Sequence, residues 1–228
     1  MEGVVVALAA EGARPLDELA GLPLALRTVL TLQKEGIAAV HVVVAAGDGE
    51  TCRRIAGDAR VRVPVKVIEA ADVGEGLVSA ADAIGAPFLL ARHDVVVDPA
   101  VYRALVAAEV DPAGAGAVGV EVAAARCGPL LVTPRWIRSV GATDTDTDTD
   151  TETSAGADAG ALDAFVSRRS VDRIDVAGWA ARVDSAAGRR EAFRQLFEAC
   201  RKPVDGIVAR HLNRHVSIFI SKRVVGCR

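Results

Sequence analysis

Short runs of β-branched and other apolar residues recur along this chain, each followed by a segment of helical periodicity, and few folds accept that alternation. Residues 4–9 (VVVALA) read as a buried parallel strand. After a loop, residues 23–35 read as a helix, with Leu24, Leu26, Val29, Leu30 and Leu32 on its apolar side and Gly36 as the stop. The pattern continues with a strand at 40–45, a helix at 48–56 opened by Asp48, a strand at 65–69 and a helix at 75–84. A strand at 88–91 ends at His93-Asp94, and a helix at 99–108 carries proline in its first turn. Further strands are expected at 117–122, 130–133, 171–176 and 179–183, with helices at 161–167 and 185–200. This order predicts an α/β fold of three layers, a mainly parallel sheet with helices on both faces. Ligands of such sheets sit at the carboxyl ends of the strands. The loop after the first strand and the His93-Asp94 turn are therefore the places to look.

Composition fits one domain rather than two. The 228 residues can bury one good core, and a chain that is 51% hydrophobic but only 4% aromatic packs with small side chains. A net charge of −3 carries no nucleic-acid signature. The charge is uneven, however: residues 201–228 hold seven Lys/Arg against one Asp, a local +6 that leaves −9 for residues 1–200. The domain is thus expected over 1–200, with a basic amphipathic helical tail over 201–228. In that tail Val204, Ile207, Val208, Leu212, Val216, Ile218, Phe219 and Ile220 interleave with Arg210, Arg214, Lys222 and Arg223. Residues 203–225 have the make-up of a helix that meets an anionic membrane surface; a helix packed on the core or on a partner has the same make-up.

Residues 143–153 read TDTDTDTDTET, within an acidic insert at 143–158 that cannot bury anything and is expected to be a disordered spacer. Cys52, Cys127, Cys200 and Cys227 lack metal or redox spacing and read as reduced thiols of a cytoplasmic protein. The N-terminus lacks a basic signal-peptide region, and no stretch of 18 apolar residues offers a membrane span. The sequence gives no oligomeric state.

Four stretches resemble one family in order and spacing. Leu8-Ala9-Ala10-Glu11-Gly12-Ala13-Arg14-Pro15, followed by Gly21-Leu22-Pro23-Leu24, is similar to the phosphate loop L-A-A-G-x-G-x-R…K-P-L. Gly74-Glu75-Gly76-Leu77-Val78-Ser79-Ala80-Ala81 resembles a base-binding loop and helix. Phe88-Leu89-Leu90-Ala91-Arg92-His93-Asp94 resembles a strand ending in a metal-binding Asp, and Trp179-Ala180-Ala181-Arg182-Val183-Asp184-Ser185 a segment supplying a second one. Together they resemble the sugar-phosphate and inositol-1-phosphate nucleotidyltransferases. The tail from Arg201 to Arg214 looks like the juxtamembrane linker that joins such a cytidylyltransferase-like domain to a membrane CDP-alcohol phosphatidyltransferase of phospholipid synthesis.

The resemblance implies transfer of a cytidylyl or other nucleotidyl group from a nucleoside triphosphate, CTP favoured, to a sugar or inositol phosphate, with release of pyrophosphate. It implies Mg²⁺ held by Asp94 and Asp184. Arg14 and Asp94 become the catalytic residues, and Ala9, Ala10, Gly12, Arg14, Gly74, Gly76 and Ser79 the nucleotide-binding ones. From the residues alone, Asp94 also suits a strand-end turn, Asp184 the approach to a helix cap, Arg14 a solvated loop, and Gly74 and Gly76 plain turns. The phosphate loop is worn: it is one residue short, Glu11 stands among its glycines, and Leu22 occupies the Lys position. An acid near the phosphates and a missing cation both weaken nucleotide binding. A second expectation follows, a catalytically inactive domain of this fold that binds a partner or regulates a membrane transferase. Replacement of the lost Lys by Arg27 or Arg92 would favour catalysis.

Overall fold

The computed structural model describes residues 1–8, 13–121, 128–141, 159–167 and 170–201. The expected acidic insert and the tail beyond Arg201 lie outside the described residues, as do Ala9, Ala10 and Gly12.

The strands are β1 (Glu2–Val6), β2 (Glu18–Leu19), β3 (Leu22–Pro23), β4 (Ala39–Ala45), β5 (Val65–Ala70), β6 (Phe88–Arg92), β7 (Val95–Val97), β8 (Ala117–Glu121), β9 (Leu130–Val132), β10 (Asp172–Asp175) and β11 (Ala180–Arg182). The helices are α1 (Leu24–Lys34), α2 (Gly49–Ala56), α3 (Val73–Ile84), α4 (Pro99–Ala107), α5 (Pro134–Gly141), α6 (Ala159–Ser167) and α7 (Ala186–Arg201). Seven strands form one sheet in the order β10-β8-β9-β6-β1-β4-β5. All its pairings are parallel except those of β9, which runs against both β6 and β8.

Period-two burial on both faces explains the sheet's place in the middle. Along the first strand, Val5 and Ala7 face a core filled by Val29 and Leu32 of α1, Ile55 of α2 and Tyr102 of α4. Val4, Val6 and Leu8 face a second core filled by Leu77 of α3, Trp136 of α5 and Phe165 of α6. Trp136 is a core residue, edge-on to Phe165 with centroids 6.4 Å apart. Helix α5 was not expected from the sequence, because proline and two arginines mask the face that carries Trp136, Ile137 and Val140 inward.

Among the described residues, three helix starts are fixed by aspartate. Asp48 accepts from the Thr51 amide at 3.1 Å, Asp72 from Glu75 at 2.8 Å and Asp98 from Ala100 at 2.9 Å. Glu75 also reaches back to the Ala71 amide at 2.8 Å, fixing the entry of α3 at the carboxyl end of β5. The segment expected as a last strand of the sheet instead pairs outside it: β11 lies antiparallel to β7, with Arg182 opposite Val95. That small ribbon stands where β6 leaves the sheet.

Gly76 is the point of closest approach of α3 to the sheet. A Cβ there would overlap Val43 Cγ1 and come within 3.2 Å of Ala70 Cβ. Gly76→Ala is expected to cost about 1–3 kcal/mol through overpacking. Urea unfolding should show a lower midpoint at unchanged slope.

Candidate functional site

β1 and β6 run side by side and end at the same edge. At that edge β6 delivers Arg92, the turn delivers His93 and Asp94, and β7 leads on to its partner β11. The Val183 amide donates to the Asp94 carbonyl at 2.8 Å, so β11 is locked beside the turn. Arg182 and Asp184 follow from that lock. Ser185 caps α7, accepting from the Gly188 amide at 3.1 Å, and a Cβ on Gly188 would collide with the Arg182 carbonyl. Helix α6, held in the core by Leu162 and Phe165, brings Asp163 to the same place.

These five charged side chains form a connected ion network. Arg92 grips Asp94 with both ends of its fork, Nε to Oδ1 and Nη2 to Oδ2, each at 2.8 Å. Arg92 Nη1 donates to Asp163 Oδ1 at 2.5 Å. Arg182 Nε donates to Asp94 Oδ2 at 3.2 Å, and its Nη1 to Asp163 Oδ2 at 2.9 Å. Asp184 Oδ2 lies 3.1 Å from Arg182 Nε. Arg92, Asp94, Arg182 and Asp163 therefore close a four-membered ring, with Asp184 attached to Arg182. Asp94 is only 1% exposed and Arg92 7%, while Asp163 is 46% exposed. The ring is dry at its base and wet at its rim.

Burial and ion pairing compete to set the pKa values in this site. Burial pushes the Asp94 carboxyl upward, but the Arg92 hydrogen bonds and charge outweigh that and hold it below the usual carboxylate range. Burial likewise opposes the charge on Arg92, and Asp94 and Asp163 more than offset it. His93 is different. Desolvation lowers its pKa despite the neighbouring Asp94, which favours the neutral imidazole. Its Nδ1 faces the Val6 carbonyl at 3.1 Å and its Nε2 the Ala13 carbonyl at 3.4 Å, and a neutral ring donates to one of the two.

The structure brings some expected site residues together and leaves others apart. Asp94 and Asp184 meet through Arg182. Arg14 lies just past the Ala13 carbonyl that faces His93; its side chain is exposed, and its amide donates to Asp17 at 3.0 Å. Gly74 lies in the first turn of α3, where a Cβ would sit 3.8 Å from Phe165 of α6. Gly76 faces the sheet, so the close packing of α3 explains it without a ligand. Ser79 lies on the exposed side of α3, about 9 Å along the axis from Val73. Leu22 offers no cation. Arg27 donates to the Leu19 carbonyl, and Arg92 is committed to two aspartates, so neither stands in for the missing lysine.

Mg²⁺ needs near-octahedral oxygen ligands, usually from carboxylates with open lone pairs. Here both oxygens of Asp94 already accept from guanidinium N–H groups, and Asp184 is paired with Arg182. Among the described residues no group of three or more His, Cys, Asp or Glu side chains could hold a metal ion. The residues present do not fit the expected metal: two fixed positive charges stand against the carboxylates that were expected to bind it. Sequence reasoning missed Arg182 and Asp163. Arg182 sits two residues before Asp184, so alternation along a strand could have placed both on one side. Asp163, 71 positions from Arg92, carries no local signal.

No family model matches the chain, and no curated protein does. Solved structures do match. HddC from Yersinia pseudotuberculosis superimposes with a TM-score of 0.61 at 14% identity, over 86% of this chain and 100% of that one. HddC complexed with GMP-PN gives 0.60 at 15% identity over the same shares. A putative glucose-1-phosphate thymidylyltransferase from Bacillus anthracis, in complex with a sucrose, gives 0.57 at 11% identity, over 90% of this chain and 96% of that one. The chain has the fold of these proteins.

Loss of the ring should show in stability and its pH dependence. Asp94→Asn leaves Arg92 short of its buried counter-charge and is expected to cost about 3–5 kcal/mol. Both Asp94 and His93 have lowered folded-state pKa values. The His93 contribution is complete above about pH 6.5 and declines below it, because only the unfolded imidazole takes up a proton there. The Asp94 contribution is complete above about pH 3.9 and is lost as pH falls through the folded-state value. Urea midpoints measured from pH 8 to pH 3 should fall in two stages, and His93→Gln should remove the first.

Proposed function

We propose that this chain is a domain of nucleotidyltransferase fold that binds a phosphorylated ligand or a protein partner at its strand-end edge without transferring nucleotide. One observation carries this reading: the Asp94 carboxylate is closed by two guanidiniums. Nucleotidyl transfer is attack by an acceptor phosphate oxygen on the α-phosphorus, with the bond to the β-phosphate oxygen breaking and pyrophosphate leaving. The protein must hold the partners in line and neutralise the charge that develops. Three of the roughly four lone-pair sites of Asp94 are taken by guanidinium N–H groups, which leaves it little to offer a metal or a substrate. The cation expected at position 22 is a leucine, and neither Arg27 nor Arg92 replaces it. The partner implied by the resemblance is a membrane CDP-alcohol phosphatidyltransferase, with the basic tail over 203–225 as the segment that would meet an anionic surface. Among the described residues no helix is long and apolar enough to cross a membrane.

A second reading is active transfer from CTP or another nucleoside triphosphate to a sugar or inositol phosphate. It is favoured by the joining of Asp94 and Asp184 through Arg182, and by the similarity to a putative glucose-1-phosphate thymidylyltransferase.

The two readings separate in a pyrophosphate-release assay with each of the four nucleoside triphosphates, Mg²⁺, and glucose 1-phosphate or inositol 1-phosphate. No release above the protein-free blank is expected. Release that disappears in Asp184→Ala, a half-exposed residue whose loss leaves the buried pair intact, would establish the active reading instead.

A further inference from the structure

Asp163 is the exchangeable member of the ion ring. Its two oxygens divide between two guanidiniums on different elements, Oδ1 to Arg92 at 2.5 Å and Oδ2 to Arg182 at 2.9 Å. Oxygens of a phosphate spread between two arginines in the same way. Of the two carboxylates that close the ring, Asp94 is buried, whereas Asp163 is nearly half exposed and has solvent to move into. Leu162 and Phe165 anchor α6 in the core, so Asp163 can leave by rotating its side chain while the helix stays in place.

Charge decides between addition and exchange. Two guanidiniums face three carboxylates in the network, an excess of one negative charge. A further anion would be repelled. An anion that replaces Asp163 inherits two fixed, pre-oriented N–H donors and adds little repulsion. The adjoining cleft, bounded by Val6, Leu8, Val73, Arg92, His93 and Leu162 together with Asp94, has room for about 10 Å³, no more than a water molecule, so a phosphoryl group would have to take the place of the Asp163 carboxylate rather than enter beside it.

We propose that Arg92 and Arg182 form a metal-independent binding site for a phosphate monoester, and that Asp163 is the internal carboxylate which that ligand displaces. This names the ligand class of the binding domain proposed above and rests on that reading. Its test involves no turnover, so the two can fail separately.

The experiment is calorimetric titration of the full chain with inorganic phosphate and, separately, with glucose 1-phosphate, both in excess EDTA. Asp163→Asn should bind at least one of them about tenfold more tightly than the parent chain, a change of about 1.4 kcal/mol. Arg182→Gln should abolish saturable binding. Tighter binding of glucose 1-phosphate identifies an esterified ligand, and equal binding identifies the bare phosphoryl group; either supports the site. Asp163→Ser provides a second removal of the carboxylate should the asparagine variant fold poorly. Thermal unfolding with and without phosphate adds an independent readout: the ligand should raise the Tm of the Asp163 variants and leave that of Arg182→Gln unchanged. Asp163 variants that are less stable yet bind phosphate no better than the parent would show a purely structural clip and overturn the proposal. Binding that survives in Arg182→Gln would overturn it equally.

Discussion

The buried fork between Arg92 and Asp94 is the interaction around which the strand-end edge is organised. Removing two full charges from water costs several kcal/mol for each ion, and their mutual attraction repays that only when geometry is good and the remaining hydrogen-bonding positions are filled. Arg92 satisfies the geometry with two bonds to one carboxylate. The remaining positions are filled from far along the chain. Arg182 comes from the β7–β11 ribbon, and Asp163 comes from α6. Three separate elements must therefore dock correctly before the pair becomes tolerable. Leaving out any one strands a charge in a site with little access to solvent.

That demand also constrains the chemistry. A carboxylate serves a metal ion through open lone pairs, and most of those of Asp94 are spent on guanidiniums. The interactions that make this edge stable are the ones that close it to the expected cation. The positive charge such an edge needs to attract a phosphate is still present, but it is covalently attached as Arg92 and Arg182. A guanidinium keeps its charge at any physiological pH and offers its donors in a fixed plane. It is suited to holding an anion in place.

His93 and Gly76 show how the scaffold supports this edge. Burial lowers the pKa of His93, and its backbone N–H donates to the Val6 carbonyl while its ring lies between the carbonyls of Val6 and Ala13, aligning the turn after β6 with the loop after β1. Gly76 lets α3 approach the sheet closely enough to bring its capped N-terminus, at Asp72 and Glu75, up to the same edge. The contacts of both residues serve packing and alignment.

The sequence alone determined the layered architecture. Apolar runs such as Val4–Val6 and Phe88–Leu90 cannot avoid burial on both faces, and the helices between them carry one apolar side each, so a covered parallel sheet follows from local periodicity. It also placed the His93-Asp94 turn at the carboxyl ends of the parallel strands, because that position depends only on strand direction. Helix α5 escaped notice because its apolar face is short and interrupted by charge. The Arg182–Asp184 segment was legible as a strand, but its partner was not, since pairing with β7 depends on how the chain leaves the sheet. The function of Asp94 was least legible of all. An aspartate at a strand end reads the same whether it faces water, a metal ion or arginine. Only the tertiary structure decides among these, because the energy of a charge depends on what surrounds it in space, and Arg182 and Asp163 are distant from Asp94 in the chain and adjacent only once it has folded.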